Sequence, residues 1–209
     1  LARILDGVAP TEPEIVPILD AAGRVLAEDV AAKLTQPPFA ASAMDGYALC
    51  AADLPAEGGY LRLAGRIAAG DAAATALSSG QTMRIFTGAP LPFGADTVVP
   101  QERCRVYGQR IWCPPMRTGE HVRKQGEEVT QGALLLPAGK RLRAQELGLL
   151  AAAGLAQVKV YRPLRVCLLS SGDELREPGD HLAPGQIYNS NRHCLAALLQ
   201  GWGVEVHDY

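Results

Sequence analysis

This 209-residue chain lacks the cysteine and histidine patterns that are typical of disulfide-rich and zinc-binding proteins. The cysteine count is odd and includes no CxxC pair, which argues against a disulfide framework or a structural zinc site. The cysteines lie at positions 50, 104, 113, 167 and 194. We therefore expect reduced, buried thiols and a cytoplasmic protein. The four histidines show no metal-ligand spacing, so we expect them to be surface or structural residues.

An excess of charge of one sign and a long apolar run are missing as well. Lys and Arg together number 20 and Asp and Glu 22, giving a formal net charge of -2, which argues against nucleic-acid binding. No apolar run is long enough to span a bilayer and no signal-peptide pattern is present, so we expect no membrane association. The chain begins with Leu1 rather than Met, so we expect it to be a piece of a longer protein.

What is abundant is turn-forming and apolar sequence. Hydrophobic residues make up 48% of the chain, enough for a sizeable core. The 22 glycines and 15 prolines predict many turns, and therefore short strands rather than long helices.

A compact β domain is predicted over about residues 40–128. The alternating segment YLRLAGRIAAG predicts a strand that stops at Gly70, and CRVYGQRIWC predicts a hairpin that turns at Gly108 and Gln109. Between them, the loop GAPLPFGAD separates two further apolar runs. Beyond this region, Leu142, Leu147, Leu149 and Leu150 trace one helical face, with Gly154 at the helix C-terminus and a short strand at residues 158–161.

The last part of the chain predicts the opening of a parallel α/β domain. RVCLLSSGDEL reads as a buried apolar strand that runs into a small polar turn, and SNRHCLAALLQGWG as an amphipathic helix with Ser190 at its N-cap. VEVHDY begins the next strand. Because a strand, a helix and a second strand in this order form a βαβ unit, the pattern indicates a parallel sheet.

One polar segment, SSGDEL at residues 170–175, has the composition of a phosphate and Mg²⁺ site. It follows a strand, where ligands of α/β sheets bind, and its backbone N–H groups could receive phosphate oxygens. Asp173 and Glu174 could hold Mg²⁺, which prefers oxygen ligands and bridges to phosphate. The alternative is a capped turn whose acids precede a helix and interact with its dipole.

Three other segments allow a functional and a structural interpretation. PPFAASAMDGYALC could be a rigid loop that presents Asp45, or a proline-started turn into a strand. RIFTGAPLP places Thr87 and Gly88 where they could bind an oxyanion, or simply at a corner between strands. VRKQGEEV gathers charges around Gly126 that could bind a ligand, although a mixed-charge loop is usually a solvated surface. No Walker loop, GxGxxG motif or Ser/His/Asp set is present.

Taken together and in order, these segments resemble the molybdopterin molybdenumtransferases, the MoeA-type family that includes the E domain of gephyrin. The resemblance implies a mixed α/β dimerisation domain at 1–39 plus 129–162, an inserted β-rich domain at 40–128, and an incomplete, MogA-like α/β molybdopterin-binding domain at 163–209. It implies the last step of molybdenum cofactor synthesis, in which molybdate is inserted into adenylylated molybdopterin with Mg²⁺ and release of AMP. A homodimer, and other proteins of the same pathway as possible partners, are also implied.

The resemblance also assigns roles to residues. It implies catalytic roles for Asp45, Thr87 and Glu174, and metal ligation by Asp173 and Glu174. The implied substrate-binding residues are Arg123, Glu128, Ser170, Ser171, Gly172 and Asp173. Many members have Asp at the position of Glu128, so the carboxylate here stands on a side chain longer by one methylene.

Two alternatives remain open at this stage. A non-catalytic dimeric scaffold of the gephyrin E-domain type would keep a dimer surface without turnover. An adenylyltransferase of the same pathway would resemble only residues 164–209. As given, the chain ends before the glycine-rich segment typical of the family, so we expect this fragment alone to be inactive.

Overall fold

The computed structural model describes residues 6–72 and 76–208 and divides the chain into two compact units. One unit spans Ala32–Ala133; the other joins the chain up to Ala31 to the chain from Leu134 onward. Strands predominate, and the described residues contain two α-helices. None of the helices in these described ranges is both long and apolar enough to cross a membrane. The domain boundaries suggested by the sequence stay a prediction.

A six-stranded sheet forms the body of the Ala32–Ala133 unit, in the order β7-β4-β6-β5-β9-β8. Its neighbours pair antiparallel except β5 and β6, which run parallel. These six strands are β4 (Gly46–Leu49), β5 (Gly59–Ile67), β6 (Gln81–Ile85), β7 (Thr97–Pro100), β8 (Arg105–Tyr107) and β9 (Arg110–Cys113). A separate antiparallel pair joins β3 (Ala41–Ser42) to β10 (Val122–Arg123). The predicted strand is present, but it spans Gly59–Ile67 and ends three residues before the predicted stop at Gly70. The predicted hairpin at Gly108 and Gln109 is confirmed.

Both faces of this sheet carry an apolar cluster, because the strands alternate their side chains between two covered sides. One cluster consists of Tyr47, Leu49, Leu61, Val99, Ile111 and Cys113. The other consists of Ala48, Ile67, Met83, Ile85, Ala89 and Val98. Strand β4 is buried along its whole length between β6 and β7.

A close backbone approach fixes the residue type at the start of β4. A Cβ atom built on Gly46 would lie 2.0 Å from the carbonyl oxygen of Val99 on β7 and 3.2 Å from the Cα of Pro100. No side chain fits at that distance, so β4 and β7 pair as closely as they do because position 46 is glycine.

The other unit begins with short antiparallel strand pairs and a helix. β1 (Pro13–Pro17) pairs with β12 (Gln157–Tyr161), and β2 (Val30–Ala31) pairs with β11 (Leu134–Leu136). Helix α1 spans Ala144–Ala152, and Gly154 follows it with a φ of 80°, as predicted for its C-terminus. The predicted helical face is partly wrong, because Leu142 and Leu150 are buried whereas Leu149 is 40% exposed.

A buried carboxylate closes the N-terminus of α1. Glu146 is 6% exposed, and its Oε2 accepts hydrogen bonds from the backbone N–H of Arg143 at 2.9 Å and from its Nε at 3.0 Å. The nearby Lys140 Nζ lies 3.6 Å from Oε1. The hydrogen bonds from the Arg143 side chain, then that from its backbone N–H, and the Arg143 charge favour the ionised carboxylate and lower the pKa of Glu146 to about 2.

The parallel strand pair predicted near the end of the chain is present. β13 (Arg165–Leu168) pairs in parallel with β16 (Glu205–Asp208), and helix α2 (Ser190–Gly201) packs against both. The predicted N-cap is wrong by one residue, because the side chain of Asn189 accepts the capping hydrogen bond from the N–H of Arg192 at 3.2 Å. Asn189 is nearly buried, which fits that capping role.

Two further expectations for this part of the chain are wrong. β13 is not a buried strand, since its residues alternate between exposed and half-buried and Leu169 is 78% exposed. The SSGDEL turn does not precede a helix. It leads into the short strand β14 (Leu175–Arg176), which pairs in parallel with β15 (Ile187–Tyr188), and helix α2 begins only after β15.

The cysteines differ from the expectation of uniformly buried thiols. All five are free, but Cys167 and Cys194 are exposed. Cys113 is fully buried, and its Sγ lies 3.8 Å from that of Cys104 across the hairpin. The contact with the Cys104 thiol, followed by burial, raises the pKa of Cys113.

Candidate functional site

Asp45 and Thr87, two of the residues assigned catalytic roles by resemblance, are in direct contact. Asp45 immediately precedes β4 and Thr87 lies two residues beyond β6, and the antiparallel register places Gly46 opposite Ile85. Asp45 Oδ1 accepts hydrogen bonds from the Thr87 N–H at 2.8 Å and from its hydroxyl at 2.7 Å. Both residues are exposed, so this pair can meet a ligand from solvent.

The environment of Asp45 keeps its carboxylate ionised. The hydrogen bond from the Thr87 N–H is the largest cause that lowers the pKa of Asp45 below 3.8, followed by the Thr87 hydroxyl and then by the charge of Arg84. The second oxygen, Oδ2, makes no hydrogen bond within the described residues. An ionised carboxylate with a free oxygen can orient a water molecule or contact a cation; it is not suited to donate a proton.

Strand β3 links this pair to the predicted substrate-binding loop. The Gly88 N–H, next to Thr87, donates to the carbonyl of Ser42 at 2.9 Å. On the opposite side of the same strand, β10 pairs antiparallel with β3, which sets Arg123 against Ala41. Ser42 is fully buried between them, and its hydroxyl donates to the carbonyl of Met44 at 2.6 Å, one residue before Asp45.

Arg123 and Glu128, predicted to bind substrate, are bonded to each other. The guanidinium of Arg123 donates to Glu127 Oε1 at 2.8 Å through Nε and to Glu128 Oε1 through Nη2. The carboxylate of Glu127 also accepts from the Lys124 N–H at 2.8 Å. These contacts raise the pKa of Arg123 and lower that of Glu127. All three charged side chains are partly exposed, so the loop is an ordered charge cluster at the surface.

The SSGDEL turn lies in the other unit and borders a hollow of about 360 Å³. Ser170 and Gly172 line this hollow, whereas Ser171, Asp173 and Glu174 are exposed and lie outside its lining. The remaining lining residues are Leu175, Arg176, Glu177, Asp180, Asn189 and Arg192. Two arginines therefore face the hollow together with two acids, a composition suited to a phosphate with its counter-ion.

The fit of this turn to a magnesium ion is limited by its ligand count. The described residues contain no group of three or more His, Cys, Asp or Glu side chains placed to hold a metal. The carboxylate of Glu174 folds back over Gly172, where an added Cβ would lie 2.5 Å from Oε2. Two neighbouring carboxylates fit the usual protein contribution to a Mg²⁺ that is also bound by substrate phosphates, and do not form an all-protein cage.

Two larger hollows, of about 570 and 530 Å³, contain none of the predicted site residues. One is lined mainly by charged side chains and the other by apolar ones that include Trp202. The Asp45–Thr87 pair of one unit and the SSGDEL hollow of the other are therefore two separate candidate sites, chosen by their chemistry rather than by size.

Comparison with known sequences identifies the family. Residues 1–154 match the family model described as the MoeA N-terminal region, domains I and II. The chain belongs to the MoeA family.

Curated relatives of this MoeA-family chain carry one functional name. Proteins named molybdopterin molybdenumtransferase from Haemophilus influenzae and from a Nostoc species are 39% and 42% identical over 95% and 93% of this chain. These matches cover 50% and 46% of the relatives, so the chain spans about half their length.

Solved structures of MoeA proteins match the fold of this chain. Two crystal structures of the molybdopterin biosynthesis MoeA protein from Pyrococcus horikoshii match 99% and 98% of the chain, at TM-scores of 0.79 and 0.88. Their sequence identities are 33% and 31%, and the matched part is 54% and 56% of those chains. The resemblance drawn from the motifs is therefore confirmed, together with a predominantly β architecture.

Several residues of the candidate sites were not predicted from the sequence. Arg84 and Gln101 contact the backbone next to Asp45, and Arg176 and Arg192 line the SSGDEL hollow. Arg84 is the first residue of the segment RIFTGAPLP and lies three residues before Thr87. It stands between the apolar residues Met83 and Ile85, and this alternation indicated that its side chain lies on the opposite face of the strand from theirs. No comparable signal marks Gln101, because its contact depends on the pairing of β4 with β7.

Proposed function

We propose that this chain forms part of a molybdopterin molybdenumtransferase, which inserts molybdate into adenylylated molybdopterin. In this reaction water cleaves the bond that joins AMP to the molybdopterin phosphate, AMP leaves, and the two dithiolene sulfurs bind molybdenum. The names of the curated relatives support the assignment, and residues matching the family's motifs are present. Because the chain spans about half of these relatives, the full reaction is proposed for the protein in its natural length.

The contact between Asp45 and Thr87 carries the proposal. Two hydrogen bonds fix one carboxylate oxygen of Asp45 and leave the other toward solvent at the end of the buried strand β4. A carboxylate held in this way can orient the attacking water or contact a metal bound to the phosphates. Arg123, set beside the same strand system and already paired with two acids, would bind substrate phosphate by exchanging a carboxylate partner.

Mg²⁺ would be held by Asp173 and Glu174 together with substrate phosphate oxygens. Bound there, the ion would neutralise phosphate charge and polarise the phosphoryl group. Ser170, Ser171 and Gly172 would offer hydroxyl and N–H donors to the same phosphates. The chain's own contribution is a pair of exposed carboxylates on a turn between β13 and β14.

The wider setting is proposed on the same basis. The parallel pair β13 and β16 with helix α2 would be the start of a MogA-like molybdopterin-binding domain. We also propose a cytoplasmic homodimer that cooperates with other proteins of cofactor synthesis.

The test is turnover by the protein in its natural length with adenylylated molybdopterin and molybdate. Asp45→Asn should lower kcat by about 100-fold, because a misplaced or uncharged group at a reacting centre costs on that order. Asp53→Asn is a matched control: in the same unit, Asp53 also accepts from a hydroxyl, that of Ser79 at 2.7 Å, and from an N–H, that of Gly80 at 3.0 Å.

The control should retain the wild-type rate. Unchanged turnover in Asp45→Asn would refute the proposed role of this carboxylate. A wild-type protein that forms dimers by light scattering but never releases AMP would instead favour the scaffold alternative.

A further inference from the structure

Arg84 occupies the centre of the surface next to the Asp45–Thr87 pair. It lies on β6, in register with Tyr47 of β4 on one side and Arg66 of β5 on the other. Its guanidinium carbon lies 5.2 Å from the ring centroid of Tyr47 and 4.9 Å from that of Phe86. The side chain is half-buried, and two aromatic rings restrict its position.

The polar contacts of Arg84 reach both chain segments that flank Asp45. Nη1 donates to the carbonyl of Gly46 at 3.1 Å, and Nη2 donates to Oε1 of Gln101. The N–H of Gln101 in turn donates to the carbonyl of Asp45 at 3.0 Å. The guanidinium thus contacts the residue after Asp45 directly and contacts Asp45 itself through Gln101.

Arg84 also contacts the segment that contains Thr87, the hydrogen-bond partner of Asp45. Phe86, on which its guanidinium lies, is the residue before Thr87. One rigid side chain therefore contacts the neighbours of both members of the pair. We propose that Arg84 is a positioning residue that holds Asp45 and Thr87 in their hydrogen-bonded arrangement, an inference that rests on the proposed function of Asp45.

The chemistry of the side chain supports this role. Arg84 forms no ion pair with a carboxylate in the part of the chain that the structure describes, so its charge is directed to polar and aromatic groups and to the nearby Asp45. A guanidinium can donate to two acceptors in a fixed plane while stacking on a ring; an ammonium group cannot reproduce this geometry. Lysine at this position would therefore keep the charge and lose the arrangement.

The test compares Arg84→Met and Arg84→Lys with Arg66→Met. Arg66 is the matched control, because its guanidinium lies 5.5 Å from the same Phe86 ring but it belongs to β5. Two quantities are measured: steady-state kcat and KM of the natural-length protein, and the amide resonance of Thr87 in this chain by NMR. A merely structural role would lower the melting temperature without moving either of them in the folded protein.

Both Arg84 variants should lower kcat by about tenfold or more while KM changes by less than about threefold, as expected for a misoriented group. The Thr87 amide resonance should move in both, since its hydrogen bond to Asp45 is disturbed, and Arg66→Met should change neither quantity. If Arg84→Met fails to fold, Gln101→Ala removes the Nη2 acceptor and should give the same changes.

Failure of this inference is distinguishable from failure of the proposed function. An inactive Asp45→Asn alongside an Arg84→Met variant with wild-type kcat and an unmoved Thr87 resonance would overturn the role of Arg84 alone. A fully active Asp45→Asn would overturn the catalytic role of Asp45. In that case the Thr87 resonance still decides whether Arg84 positions the pair.

Discussion

Replacing Gly46 by alanine tests the close approach on which the position of Asp45 depends. The new Cβ would lie 2.0 Å from the Val99 carbonyl oxygen, whereas ordinary van der Waals contact begins near 3.4 Å. Strands β4 and β7 would have to separate by about the difference between these two distances. Overpacking of this kind costs about 1–3 kcal/mol, and each hydrogen bond lost between the strands adds about 1 kcal/mol. We expect Gly46→Ala to lower the free energy of unfolding by about 4 kcal/mol on this basis.

Urea denaturation followed by tryptophan fluorescence measures this loss. The chain has two tryptophans, and a Trp202→Phe background leaves Trp112, on β9 of the same sheet, as the reporter. Gly65→Ala is the matched control, because the nearest atom to its added Cβ is the Met83 Cε at 3.9 Å. The control should stay within about 1 kcal/mol of the parent, since glycine within a strand is itself unfavourable.

A Gly46→Ala variant as stable as Gly65→Ala would refute the reasoning. It would mean that β4 and β7 do not pair as closely as described at the residue that follows Asp45. A large loss of stability confined to Gly46→Ala would confirm that backbone packing requires the glycine after Asp45.

Three other perturbations have defined outcomes. Thr87→Val removes the hydroxyl donor to Asp45, so the pKa of that carboxyl should rise toward 3.8 in a carboxyl ¹³C titration; an unmoved titration contradicts the contact. The pKa of Glu146 is about 2 in the folded chain against an ordinary 4.5, so its stabilisation is present above pH 4.5 and is lost as the pH falls toward 2. Melting temperatures of wild type and Glu146→Gln should therefore converge over that window, and a constant difference would refute the assignment. Mass spectrometry after brief thiol labelling of the native chain should find Cys194 modified and Cys113 unmodified, and early modification of Cys113 would contradict its burial.

The strands and turns of the β-rich region were predictable because their signals are local. Alternation from Tyr60 onward identified β5, although not its end at Ile67, and the Gly108–Gln109 turn identified the β8–β9 hairpin. The helix ends were less predictable. Ser190 and Asn189 are both good capping residues, and only the direction of the Asn189 side chain decides between them. The exposure of β13 was also beyond local reasoning, since burial depends on which elements cover a strand.

The candidate functional residues also divide into what local sequence predicts and what depends on tertiary contacts. The motifs singled out Asp45, Thr87, Arg123 and Glu128, but sequence could not show that they form two bonded pairs. Asp45 and Thr87 are 42 positions apart, and the register between β4 and β6 brings them together. The loop pair is only five positions apart, yet its bond depends on the fold of the turn between them.

By itself, the sequence determined where strands, turns and chemically active side chains occur, because periodicity, glycine and proline act over a few residues. The tertiary structure alone decided which of those side chains meet. It placed Thr87 in hydrogen-bond contact with Asp45, and Arg84 in hydrogen-bond contact with the next residue, Gly46. It also brought Gly46 close to the backbone of Val99 and left Cys194 exposed. The physical reason is that contact, burial and pKa depend on distances between segments remote in the chain, which strand pairing sets.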